Sequence, residues 1–81
     1  MADLQRRLLD FVVQNFMVEL EEIELDKSMI DEGIIDSFGL IEISSFLEME
    51  FSIQIAEEDM TRQNFGSILK IVSFVKERMG E

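Results

Sequence analysis

Few side chains of this sequence can do chemistry, and one serine stands apart. Ser37 lies in Gly33-Ile34-Ile35-Asp36-Ser37-Phe38-Gly39-Leu40, just where a helical apolar pattern begins. A helix start offers free backbone N–H groups and the positive end of the peptide dipole, so a hydroxyl there sits where a phosphate group is favoured. The same position also suits a plain N-cap. A hydrolase nucleophile fits poorly. The elbow motif wants glycine on both sides of the serine, two positions away; Gly39 meets that requirement and Ile35 does not. The sequence contains no histidine to take the proton. A calcium loop counted from Asp31 ends correctly at Glu42, but Gly33 and Ile35 fall at ligand positions and Asp36 falls where glycine is needed. Cysteine is absent, which excludes a disulfide framework, a thiolate zinc site and a thiol nucleophile. Most self-contained enzyme chemistry is thereby removed.

The elements that must position Ser37 are helical. Leu4, Leu8, Phe11, Val12 and Phe16 form one stripe of a helix over about Asp3 to Met17, with Asp3 able to cap its first turn. Residues 19–36 read as a long loop pinned by Ile23, Leu25, Met29, Ile30, Ile34 and Ile35. Ordered loops of that length usually have a use. A second helix begins at Asp36 or Ser37 and runs to about Phe51. Leu40, Ile43, Leu47 and Phe51 are its buried stripe; Glu42, Glu48 and Glu50 are its wet face. Ser52 to Glu58 is irregular with Ile53 and Ile55 inward, and a short helical turn follows near Glu57–Thr61. Phe65, Ile68, Leu69, Val72 and Val75 mark a final helix, with Lys70, Lys76 and Arg78 outside and Gly80 as its stop. The expected architecture is all-α: a small four-helix bundle of three main helices and one short one, with a long loop between the first and second.

At 81 residues, 47% apolar and 31% charged, the chain is one small globular domain. Its net charge is −11. Residues 1–18 are neutral, residues 19–59 carry −13 and residues 60–81 carry +2. Such a surface repels nucleic acid and anionic membranes and favours basic protein partners. It also does what any solvated acidic face does, keeping a small protein soluble. Arg6 and Arg7 precede an apolar stretch, as in a secretory signal, but Asp10 interrupts it and no small-residue cleavage site follows. No apolar run reaches the ~20 residues of a membrane span. A cytoplasmic, freestanding monomer is expected.

Taken together, these residues resemble the acyl, aminoacyl and peptidyl carrier protein family. The resemblance rests on Ile35-Asp36-Ser37-Phe38, then Leu40, Glu42 and Phe46-Leu47-Glu48-Met49-Glu50-Phe51. It continues through Ile53, Ile55, Asn64-Phe65-Gly66-Ser67-Ile68 and Ile71-Val72-Ser73-Phe74-Val75, covering about residues 4–78. It implies that residues 1–81 are a single carrier domain and that Ser37 receives 4′-phosphopantetheine from coenzyme A through a magnesium-dependent transferase. The missing thiol then arrives on the arm, and no base of the chain's own is required. The implied partners are a phosphopantetheinyl transferase, an acyl- or aminoacyl-loading ligase, and a downstream synthase or transferase. The implied docking positions are Asp36, Phe38, Ile41, Glu42, Ser45 and Glu48. Phe38 could instead pack under the preceding loop, and Glu42 and Glu48 could be ordinary surface acids. Ile34-Ile35 before the Asp-Ser pair, Gly39 after it and Ser45 depart from the fatty-acid synthesis carriers. They point towards a polyketide, nonribosomal-peptide or D-alanyl-transfer type of pathway. Leu40, Ser44 and Leu47 lie near a possible tunnel mouth for cargo. The competing reading is a small acidic helical adaptor that binds basic proteins unmodified, with Ser37 as a helix cap.

Overall fold

The computed structural model describes residues 2–80, and they form a small helical bundle. Helix α1 spans Ala2–Phe16, α2 spans Ser37–Phe51, α3 spans Arg62–Phe65 and α4 spans Ile68–Arg78, with single 3-10 turns at Leu20–Glu22 and Glu57–Asp59. No strand occurs among the described residues. The apolar stripe of α1 is buried as its spacing demands, with Leu4, Leu8 and Val12 inaccessible or nearly so. Asp3 does not cap this helix. The helix already includes Ala2, and the Asp3 carboxylate instead pairs with Arg7 one turn on, at 3.3 Å. An acid in the first turn still complements the dipole. Met17 ends α1 in the left-handed region (φ 54°) with its side chain in solvent.

The long first connection is tied down by apolar anchors and by backbone hydrogen bonds. Ile23, Met29 and Ile35 are buried in the core, while Leu25, Ile30 and Ile34 pack against it. Gly33, at φ +77°, allows a sharp turn after which the Ile34 N–H donates back to the Met29 carbonyl at 2.8 Å. Two further bonds fasten the loop to the other end of the chain. The Met29 N–H donates to the Gly66 carbonyl (2.9 Å), and the Leu69 N–H donates to the Leu25 carbonyl (3.1 Å).

Those bonds explain the main departure from the periodicity. The final helical pattern is split: Phe65 belongs to α3, and α4 starts afresh at Ile68. The Gly66 carbonyl is occupied by Met29, so Ser67 supplies a new N-cap, its Oγ accepting from the Lys70 N–H at 3.2 Å. The restart alters the buried face. Ile68, Ile71, Val72, Phe74 and Val75 are inside, whereas Leu69, expected in the stripe, is exposed. Phe65 and Phe74 meet in the core with ring centroids 5.2 Å apart.

Helix α1 packs on both α2 and α4, and α3 packs on α4. Along the α1–α2 seam the phenylalanines form a ladder. Phe11 stacks on Phe46 at 4.3 Å; Phe16 meets Phe11 edge-on at 6.1 Å, and Phe51 meets Phe46 edge-on at 6.4 Å. No helix among the described residues is long and apolar enough to cross a membrane.

Candidate functional site

The start of α2 is built by a division of labour between two adjacent residues. Asp36 is the N-cap: its backbone is extended (φ −114°, ψ −168°) and its Oδ1 accepts from the Gly39 N–H at 3.0 Å. The Asp36 carbonyl accepts from the Leu40 N–H at 3.2 Å, closing the first helical bond. Ser37 is therefore the first helical residue and not the cap. Its hydroxyl is exposed and makes no hydrogen bond with any described residue. The N–H groups of Ser37 and Phe38 are likewise unbonded among the described residues, as expected of a first helical turn.

Gly39 fixes the approach of the serine loop. A Cβ there would lie 2.8 Å from Ile35 Cβ and 3.2 Å from a Phe16 ring carbon. The residue is buried and no side chain fits. The turn residue Ile35 and Phe16 at the end of α1 close over that point. Ile35 and Phe16 in turn hold the loop so that Ser37 faces outward.

The other sequence-selected positions divide into surface and scaffold. Phe38 does not pack under the loop; it is 74% exposed beside Ser37. Ile41 is 52% exposed, off the buried stripe as its spacing indicated. Glu42 and Ser45 are exposed on the same outward side. Glu48 is different from the wet residue expected, being half-buried, with Oε2 accepting from the Ile55 N–H at 2.9 Å. It caps the α2–α3 connection from within the helix. Leu40 and Phe51 are half-buried, with Ile43 and Leu47 fully inside.

Beside Ser37 is an open depression of about 550 Å³, lined by Ser37, Leu40, Ile41, Glu57 and Met60. Leu40 borders it as anticipated. Ser44 and Leu47 do not line it; both are buried, and Ser44 Oγ donates to the Ile41 carbonyl at 2.8 Å. Glu57 and Met60 went unnoticed in the sequence because they come from the irregular connection, where periodicity carries no information. That connection is clamped by Arg78, whose guanidinium pairs with Asp59 at 2.9 Å, donates to the Gln54 carbonyl at 3.1 Å and lies over the Phe74 ring at 4.8 Å. Among the described residues no group of His, Cys, Asp and Glu side chains is arranged to hold a metal ion.

An exposed hydroxyl on the first residue of a helix, between unbonded N–H groups, can accept a phosphoryl-linked group without disturbing the fold. The family model described as "Phosphopantetheine attachment site" matches residues 6–75, most of the chain. The protein thus belongs to the phosphopantetheine-attachment family, whose members carry a covalent 4′-phosphopantetheine arm. A search of curated proteins finds no match.

Proposed function

We propose that Ser37 carries the 4′-phosphopantetheine arm and that the chain presents acyl or aminoacyl cargo to successive partner enzymes without catalysing a reaction itself. The observation that carries this reading is the free, outward hydroxyl of Ser37 at the start of α2, relieved of capping by Asp36. Comparison with the other hydroxyls supports it. Ser44 and Ser67 are buried and already bonded, and Ser28 and Thr61 accept from backbone N–H groups. Ser45 and Ser73 are exposed but lie within helices, where backbone N–H groups are spent, and Ser52 ends α2, where the dipole disfavours an anion. Among the described residues only Ser37 combines exposure, a favourable helix end and a hydroxyl without a hydrogen bond; Thr61, exposed at the start of α3, is engaged with the Asn64 N–H.

The chain's own residues then have definite tasks. Asp36 orders the first turn, Gly39 lets Ile35 and Phe16 close beneath it, and the unbonded Ser37 and Phe38 N–H groups would be available to hold the phosphodiester. The arm, when bound, supplies a terminal thiol that holds cargo as a thioester. No histidine or cysteine stands ready to activate the serine, so a separate transferase takes the hydroxyl proton. Asp36, Phe38, Ile41, Glu42 and Ser45 surround the attachment point as a docking surface for that transferase, a loading ligase and a downstream synthase or transferase. Glu48 contributes mainly by holding the neighbouring connection. Ile34-Ile35, Gly39 and Ser45 favour a specialised pathway of the polyketide, nonribosomal-peptide or D-alanyl-transfer kind.

Intact mass after incubation with coenzyme A, magnesium and a broad-specificity phosphopantetheinyl transferase tests the reading. Wild type is expected to gain one phosphopantetheine; Ser37→Ala is expected to fold and gain none. A wild type that stays unmodified beside an active transferase would return the protein to the class of unmodified acidic adaptors.

A further inference from the structure

The depression beside Ser37 is mixed in character. Leu40, Ile41 and Met60 give it apolar walls, and Glu57 adds a carboxylate with no ion-pair partner among the described residues. The backbone around Glu57 fixes where it stands. Its carbonyl accepts from the Met60 N–H at 3.1 Å, and the Ala56 N–H just before it donates to Asp59 Oδ2 at 3.0 Å. Arg78 pins that same Asp59 from α4. The inward side of α2, by contrast, is closed. Ile43 and Leu47 are fully buried, and the buried Ser44 hydroxyl is bonded to the Ile41 carbonyl.

We infer that the depression favours a short aminoacyl cargo over a neutral acyl group or one that ends in a carboxylate, with the α-ammonium paired to Glu57 and the small side chain resting on Leu40 and Met60. The inference rests on Ser37 carrying the arm. The arm is flexible, so its loaded end can bend back over its root. A phosphodiester on Ser37 adds a second negative charge to the same depression. A cationic cargo is then attracted by both groups, and an anionic one is repelled by both. The α-amino group, with an ordinary pKa of about 8, is mostly protonated at neutral pH. The preference for a short cargo follows from packing. A long chain that entered the bundle would have to displace close-packed side chains such as Ile43 and Leu47, whereas a group the size of alanyl needs only the surface.

The test loads Ser37 enzymatically with coenzyme A analogues in which an amide replaces the thioester, so that the cargo is not hydrolysed. Alanyl, propionyl, malonyl and octanoyl analogues are compared by amide-resolved NMR on wild type and on Glu57→Gln. The Glu57 side chain is exposed and has no bond to lose, so this variant is expected to fold as wild type does. Relative to the unloaded arm, alanyl is expected to shift the Leu40, Glu57 and Met60 amides about two to five times as far as propionyl, the range one exposed ion pair gives. Malonyl is expected to shift them least. In Glu57→Gln the alanyl excess at Leu40 and Met60 should fall towards the propionyl value, and in wild type it should shrink at high salt. Intact mass separates the two ways of failing. No arm on wild type overturns the attachment reading and this inference with it. With the arm present, equal alanyl and propionyl shifts, or an alanyl excess that survives Glu57→Gln, overturn the cargo preference alone. Octanoyl shifts centred on Ile43, Ser44 and Leu47 would place a long chain inside the bundle and overturn it as well.

Discussion

At the residue scale, the start of α2 combines a cap, an unoccupied hydroxyl and a steric seat within four positions. Asp36 both caps and carries charge, and the two roles are separable. Asp36→Asn keeps an oxygen to accept the Gly39 N–H, whereas Asp36→Ala removes it. Urea denaturation is expected to place Asp36→Ala about 1 kcal/mol below wild type and Asp36→Asn within a few tenths, roughly, of wild type. Equal losses in both would mean that charge, not the cap bond, stabilises the turn. Gly39 answers to packing. Alanine improves helix propensity by about 1 kcal/mol, but its Cβ would fall 2.8 Å from Ile35 Cβ, an atom too near the backbone to move freely. Overpacking of this kind costs about 1–3 kcal/mol, so Gly39→Ala is expected to lower the urea midpoint. A raised midpoint would show that Ile35 can yield.

At the element scale, the connection from α2 to α3 is ordered by polar ties from one residue of α2 and one of α4. Glu48 holds the Ile55 N–H from one side, and Arg78 reaches Asp59 and the Gln54 carbonyl from the other. This segment carries Glu57 and Met60 to the depression beside Ser37. Its order therefore governs what lies next to Ser37. Arg78→Ala is expected to speed amide hydrogen exchange across residues 54–60, with a global stability loss of about 1 kcal/mol or less because the guanidinium is partly in solvent. Unchanged exchange there would mean that Ile53, Ile55 and the Glu48 tie suffice. The same logic of long-range ties sets the α3–α4 break, where Met29 occupies the Gly66 carbonyl and Ser67 begins a new helix.

At the scale of the whole molecule, charge is segregated along the chain, and the acidic middle segment includes α2 and the loop before it. Exposed charges contribute little to holding the fold and more to the rate of encounter with a basic partner. Glu42, without an ion pair among the described residues, is a direct probe of this. Glu42→Lys is expected to lower kcat/KM for modification by a phosphopantetheinyl transferase severalfold at low salt, with the deficit shrinking at physiological salt as the screening length falls from about 30 Å to about 8 Å. A deficit independent of salt would place Glu42 in a short-range contact instead of a steering field.

The sequence by itself determined that α1 and α2 are helical, because burial at a helical period is a local property of each. It also excluded chemistry that runs on a histidine or cysteine of the chain's own, and it singled out Ser37 by the turn and helix around it. Tertiary structure decided what depends on residues far apart in the chain. Only the fold shows that Met29 claims the Gly66 carbonyl, so that one apolar pattern becomes two helices and Leu69 turns outward. Only the fold brings Phe16 and Ile35 over Gly39, exposes Phe38, and turns Glu48 from a surface acid into the partner of Ile55. Periodicity says which face of a helix is apolar. Which donor reaches a given carbonyl, and which neighbour fills the space a side chain would need, is settled by the packing of all the elements together.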